Sequence, residues 1–460
     1  MASCLWQYRL RILLCVCTPC LLLACLFIYV ALAVCLSMTL SISPVRHPVL
    51  STFFKASGTT NVGTMAPYPI KPFWKHKLDK EAHWNLIQQI LDRQHNPLLQ
   101  QRRNDSQTGS DLYNTTSGSE QHREGCFPNY EMIWTLSDFF SLPSQIQRFL
   151  ISMHCREYPL LIDQPRVCNQ TLEKSQDGPP MLLLAIKSQA MNFKNRQAIR
   201  QTWGRSGWVK GYSGKGGQVR RVFLLGKNHS GHDPVSVENL REESNKFGDL
   251  IMWDFLDTFY NLTLKDILFW GWFSKNCPDT RFVLKGDDDV FVRTPALLDY
   301  LNDEEEVRSK KSGNGKVMED FVVGDVIISA LPPRLETNKY FIPESFYEGM
   351  YPSYAGGGGV VYSGALVPRL LEVSKRVHLF PIDDVYLGMC LERLGVVPIH
   401  HPAFLTFDFP EDESKEPCAH HTILLVHKRS PKEMRKLWAK TIVPSRKCKK
   451  VLLRDKLFES

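Results

Sequence analysis

From Ile12 to Val45 the chain reads ILLCVCTPCLLLACLFIYVALAVCLSMTLSISPV, without a single charged side chain. A helix crossing the hydrocarbon core of a bilayer needs about 20 such apolar residues. The run is too long for the core of a signal peptide, and no small-residue cleavage site stands out after it, although a cleaved signal is the competing reading. Arg9 and Arg11 precede it, and flanking positive charge stays on the cytoplasmic side of a membrane. The expectation is a single-pass type II membrane protein. Residues 1–11 form a cytosolic tail, 12–38 a signal anchor, and everything beyond lies on the lumenal or extracellular side.

Two further features agree with that side. Asn-X-Ser/Thr sequons stand at Asn104, Asn114, Asn169, Asn228 and Asn261, each a candidate glycosylation site. Seven cysteines, at 126, 155, 168, 277, 390, 418 and 448, follow the apolar run. In an oxidising compartment they allow up to three disulfides and one thiol left over, with the pairing open. Their spacing does not fit a zinc site. A formal charge of +8 over 460 residues is too mild to argue for nucleic acid as a partner.

Residues 39–125 read as a stem. They hold two polar stretches, around 51–69 and 100–122, too poor in apolar residues to fold alone. Between these, EAHWNLIQQILDRQHNP predicts a short amphipathic helix stopped near Pro97. From 126 to 448 the pattern becomes dense, and 449–460 is a basic tail. MLLLAIKS, RRVFLLG, LIMWDF and RFVLKG are apolar runs of strand length. NRQAIRQTWG, VENLREESNKFG and NLTLKDILFWGWFSKN separate them with helical spacing. That alternation predicts an α/β fold with a mainly parallel sheet covered on both faces.

Ligands of open α/β sheets bind beyond the carboxyl ends of the strands. In FVLKGDDDVFV, Asp287, Asp288 and Asp289 fall at such an end. Clustered carboxylates repel, and a hard divalent cation such as Mg²⁺ or Mn²⁺ relieves that; a solvated acidic turn is the bland alternative. Asp383 and Asp384 open the helix PIDDVYLGMCLERLG. There they serve either as ordinary first-turn acids or as a base kept ionised by the helix N-terminus. The glycines of YAGGGGVVYSG, Gly357 and Gly358 among them, permit close approach of a ligand or simply a flexible hairpin turn. Arg196 and Arg200, four apart, suit either a phosphate or a structural ion pair. His427 ends an apolar strand, where a lone histidine is usually structural.

Taken in order, NRQAIRQTWG, RVFLLG, YNLTLK, FVLKGDDDVFV, AGGGGVVYSG, PIDDVYLGMC and LLVHKRSPKEM resemble the β1,3-glycosyltransferases of inverting glycosyltransferase family 31. The four-glycine run and LLIDQP point to the N-acetylglucosaminyltransferase branch. The resemblance extends from about Lys71 through Cys448. It implies the GT-A fold, Rossmann-like with an acceptor-binding half, and residence in the Golgi membrane. It implies transfer of GlcNAc from UDP-GlcNAc to the 3-hydroxyl of terminal β-galactose on glycans, extending poly-N-acetyllactosamine. Asp289 and His427 would hold the Mn²⁺ or Mg²⁺, Asp287 and Asp288 the nucleotide and ribose. Asp384, with Asp383 beside it, would be the base, and Arg196, Arg200, Gly357 and Gly358 would lie near the substrates. A related glycosyltransferase is an expected partner. A β1,3-galactosyltransferase using UDP-Gal and a silent glycan-binding protein of the same fold are the alternatives.

Overall fold

A computed structural model describes residues 82–94, 126–169, 179–228, 237–312, 318–409 and 411–454. Among these, no helix is long and apolar enough to cross a membrane. The run at 12–38 and most of the stem lie outside the described residues.

Leaving single-turn helices unlabelled, the order begins α1 (His83–Gln94), α2 (Ser144–Ser152), β1 (Leu160–Ile162), β2 (Leu182–Lys187), α3 (Phe193–Gln201), β3 (Gly207–Lys210) and β4 (Gly216–Lys227). It continues α4 (Val237–Phe247), β5 (Leu250–Leu256), α5 (Leu262–Asn276), β6 (Phe282–Asp287), β7 (Phe291–Val292) and α6 (Thr294–Ser312). Then come β8 (Val322–Ile327), β9 (Tyr354–Ser363), α7 (Leu366–Ser374), α8 (Asp383–Leu394), β10 (Ile399–His400), β11 (Phe404–Leu405), β12 (Leu425–Val426) and α9 (Pro431–Thr441).

The main sheet has the order β1-β5-β4-β2-β6-β9-β8-β10, with β3 added beside β4. It is mixed rather than mainly parallel. β4, β5 and β6 join β2 in a parallel core, but β9 runs antiparallel to both β6 and β8. The expected parallel sheet therefore describes one half only. Strands of β2 alternate between two cores: Leu183 and Ala185 pack on one face, Leu182, Leu184 and Ile186 on the other. Burial on both faces is why this strand lacks polar alternation. The first core takes α1, α2, α5, α7 and α8; the second takes α3, α6 and α9.

Helix α1, assigned by sequence to the stem, belongs to this fold. Trp84 is fully buried, packs edge-on to Tyr347 and Phe380, and donates its indole N–H to the Leu379 carbonyl at 3.1 Å. Among the described residues, three disulfides, Cys126–Cys155, Cys168–Cys277 and Cys418–Cys448, leave Cys390 free and buried. That is the expected count of three bridges and one thiol.

Candidate active site

The chain crosses from β4 and β5 on one side of β2 to β6 on the other, so the β2/β6 edge is a topological switch point. The two strands end together, with Lys187 opposite Asp287. Above their carboxyl ends lies a cavity of about 310 Å³ bordered by the acidic triplet, Asp383, Asp384 and His427.

The triplet divides its labour. Asp288 points down: it is 6% exposed and accepts hydrogen bonds from Ser188 Oγ at 2.6 Å, Asn192 Nδ2 at 3.0 Å and Asn195 Nδ2 at 3.2 Å. Its carboxylate ties the β2–α3 loop to β6 while still bordering the cavity. Asp287 and Asp289 instead converge on His427. Its Nε2 stands 3.1 Å from Asp289 Oδ1 and 3.8 Å from Asp287 Oδ2. His427 Nδ1 lies 3.2 Å from the Thr406 carbonyl. With Nε2–H donating to Asp289 the ring is held in place; a bound cation at Nε2 would instead require the proton on Nδ1, donated to Thr406.

This trio is short of positive charge. Burial, helped by the charges of Asp383 and Asp289, pushes Asp287 up to about 6 despite Lys187 and His427. Burial would lower the His427 pKa, but the hydrogen bond and charge of Asp289, then Asp287, outweigh it and raise it. Asp289 Oδ1 is buried, with His427 Nε2 at 3.1 Å as its close side-chain neighbour. The three candidate ligand atoms lie within 4.8 Å of one another. Two carboxylate oxygens and one imidazole nitrogen fit a divalent cation, and a nitrogen donor suits Mn²⁺ better than Mg²⁺.

Across the cavity, α8 begins at Asp383. Asp383 forms an ion pair with Lys187 and lies 3.3 Å from Lys285 Nζ. Burial works against its ionisation, but Lys187 and Lys285 prevail and hold it well below the usual carboxylate range. Asp384 has one longer contact, Lys285 Nζ to Oδ1 at 3.5 Å. Burial and the charge of Asp383 push Asp384 up to about 7 against the two lysines. Two adjacent acids are thus pushed apart: the lysines favour the anion of Asp383, and burial beside that anion raises Asp384. At the same helix terminus Asp383 holds the closer lysine contacts and Asp384 the longer one.

Strand β9 connects the two sides, and its glycines are extended strand rather than a flexible turn. A Cβ on Gly357 would sit 2.6 Å from Asp384 Oδ2. On Gly358, one residue on, it would meet Thr406 Cα at 3.2 Å and His427 Cβ at 3.3 Å. Gly357 borders the cavity, whereas Gly358 lies against the residues that hold the imidazole.

Arg196 and Arg200 are not brought to the cavity. Arg196 is fully buried and binds Glu243 through two hydrogen bonds of 2.8 and 2.7 Å. Arg200 Nη2 lies 2.7 Å from both Glu243 and Asp249. Both are internal ion pairs, the alternative the sequence left open. Among the sequons, Asn169 is exposed and Asn228 half-buried. Asn261 donates its amide to the Leu256 carbonyl at 2.8 Å, and its partner Thr263 is fully buried. Asn104 and Asn114 lie outside the described residues.

Residues 194–402 match the family model described as "Galactosyltransferase". An N-acetyllactosaminide beta-1,3-N-acetylglucosaminyltransferase 2 from Mus musculus is 45% identical over 83% of this chain and 89% of its own length. Its Homo sapiens counterpart is 43% identical over the same shares. An N-acetyllactosaminide beta-1,3-N-acetylglucosaminyltransferase 4 from Homo sapiens is 42% identical over 70% of this chain and 78% of its own. The chain belongs to the β1,3-N-acetylglucosaminyltransferase family. In this β1,3-N-acetylglucosaminyltransferase the matched segment holds the triplet and both helix-start aspartates but ends before His427. The sequence reading also passed over Lys187, Lys265, Lys285 and Asp266. Each is at most 4% exposed. For Lys187 and Lys285 the signal was present: a lysine inside an otherwise apolar strand needs a buried partner.

Proposed function

We propose that this enzyme transfers GlcNAc from UDP-GlcNAc to the 3-hydroxyl of a terminal β-galactose, with inversion, on glycans of the poly-N-acetyllactosamine type. The observation that carries the proposal is the pairing, around one cavity, of a cation-hungry trio with an acid raised toward neutrality. The fold is read as GT-A. Asp287, Asp289 and His427 would hold the Mn²⁺. When bound, that divalent cation offsets the charge growing on the departing UDP. Asp384 lies across the cavity and takes the proton of the acceptor hydroxyl as that oxygen attacks the anomeric carbon. A base is most effective when its pKa lies near the working pH, and burial beside Asp383 supplies that. Asp383 is then a fixed anion rather than a second base. Phe259, Tyr340 and Phe407 border the same cavity and give apolar faces on which sugar rings pack.

The apolar run at 12–38 and the stem support a type II protein of the Golgi membrane, catalytic part in the lumen. Three disulfides suit that oxidising compartment.

The test uses the full chain in detergent with a galactose-terminated acceptor. UDP-GlcNAc with Mn²⁺ should give a β1,3-linked product, and EDTA should abolish it. UDP-Gal is the control donor, because the matched family model is named for galactosyl transfer. Faster transfer from UDP-Gal, or extension undiminished by EDTA, overturns the reading.

A further inference from the structure

Behind the base lies a charge network that the mechanism above does not use. Asp266, on α5, is 1% exposed, fully behind the cavity wall. It sits 3.2 Å from Lys187 Nζ and 2.9 Å from Lys285 Nζ. Those two lysines reach forward to Asp383, and Lys285 reaches Asp384. Buried ions of this kind are retained only when each is paired.

We propose that Asp266 is a positioning residue for the catalytic base: by engaging Lys187 and Lys285 from behind, it leaves Asp384 the one acid in the network without a cation of its own. The inference rests on Asp384 as base in the proposed reaction. The count is simple. Within ion-pair distance the two lysines meet three carboxylates, Asp266, Asp383 and Asp384; Asp287 feels Lys187 only at longer range. The first two hold the closer contacts, so the unmatched charge falls on Asp384, in line with its raised pKa. The other groups facing Asp384 are Asp287 on β6 and, on β9, Tyr354 and the backbone of Gly357. None of them changes in the variants below.

Changing the count should move the base in a predictable sense. Asp266→Asn leaves two lysines for two carboxylates. Asp384 is then matched, and its protonation midpoint falls. Lys285→Met leaves one lysine for three carboxylates, and the midpoint rises. Each shift should be about one unit or more, the size produced by adding or removing one close opposite charge. Lys285→Arg keeps the cation and should leave the midpoint in place. The double variant Asp266→Asn/Lys285→Met restores an excess of one carboxylate and should return the midpoint toward wild type.

The experiment is carried out on the full chain with two readouts. The first is the acid limb of kcat against pH for UDP-GlcNAc with Mn²⁺. The second is pH-difference infrared spectroscopy of the protonated-carboxyl band, assigned through its loss in Asp384→Asn, which needs no turnover. Opposite shifts in Asp266→Asn and Lys285→Met support the proposal. Shifts in the same direction, or none, overturn it, as a purely structural network would weaken folding in both without moving the midpoint. If Asp266→Asn fails to fold, Lys285→Met against Lys285→Arg decides: a midpoint not raised in the first relative to the second overturns the proposal. A wild-type enzyme that titrates as described but transfers no sugar would sink the proposed reaction and leave the network intact.

Discussion

The two walls of the cavity use the same side chain to opposite ends. On the β6 wall, Asp287 and Asp289 are 37% and 42% exposed and have one shared partner, His427. On the α8 wall, Asp383 and Asp384 are 11% and 16% exposed and sit against Lys187 and Lys285. The first pair is under-neutralised and, although its side chains are partly exposed, lies low enough in the cleft for burial to raise Asp287, so in the proposed reaction it would gain from a cation arriving with the donor. The second is closed and nearly neutralised from within, so a proton rather than a metal completes it. In the proposed reaction, what separates the metal-holding wall from the base is which cations the fold has already placed behind the carboxylate.

The sharpest way to break the comparison is Asp384→Asn. It removes proton acceptance but little volume, and kcat should fall by about 10³-fold or more, within or above the usual range for losing a general base. UDP binding in Mn²⁺ should persist by calorimetry; near wild-type turnover would dismiss Asp384 as the base. Asp289→Ala should act on the other wall. Metal-dependent UDP binding should weaken by about 10²–10³-fold, as expected when several kcal/mol of cation chemistry is lost. UDP affinity that stays equal with and without EDTA in the wild type would remove the metal from that wall altogether. Gly357→Ala tests the joint between the walls. The new methyl would press on Asp384 Oδ2, from a Cβ position 2.6 Å away. A displacement of that order costs about 10²-fold in kcat, and Mn²⁺–UDP binding should change little. The pH profile gives a smaller effect. Asp384 must be ionised to act and its pKa is raised to about 7, so kcat should fall as pH drops through that value. A plateau extending down to pH 5 would contradict the raised pKa.

Much of this was legible in the chain itself because it depends on neighbours in sequence. The apolar run before Asp287 marks a buried strand, and the residues after it mark its open end. Asp383 and Asp384 announce themselves at the start of α8 because Gly395 and the leucine spacing define that helix. What stayed hidden depends on partners remote in sequence. Helix α1 looks like any amphipathic stem helix until Trp84 meets Tyr347 and Phe380, more than 260 positions later. The turn of the sheet from parallel to antiparallel at β9 follows from a long connection after β8, where no local pattern states a direction. Lys285 sits inside the quoted motif, yet its role exists only because Asp266, Asp383 and Asp384 come from two other helices.

Arg196 and Arg200 show the same limit from the other side, and Arg200 gives the mildest test. Helical spacing makes the two arginines look like a phosphate clamp. In the fold, Arg200 stacks on Phe247 at 4.1 Å and is bonded to Asp249. Replacing it by Met does not strand its partners. Asp249 keeps Arg221 at 2.6 Å, and Glu243 keeps Arg196 at 2.7 Å. The loss should therefore stay at about 1–3 kcal/mol of stability, the cost of charged hydrogen bonds removed without an orphaned ion. Thermal unfolding of Arg200→Met should show that drop while kcat and the donor KM stay within about two-fold, since the side chain touches neither wall. A donor KM raised tenfold at unchanged kcat would mean that the guanidinium reaches the nucleotide after all, and a third cation would then have to be added to the β6 wall.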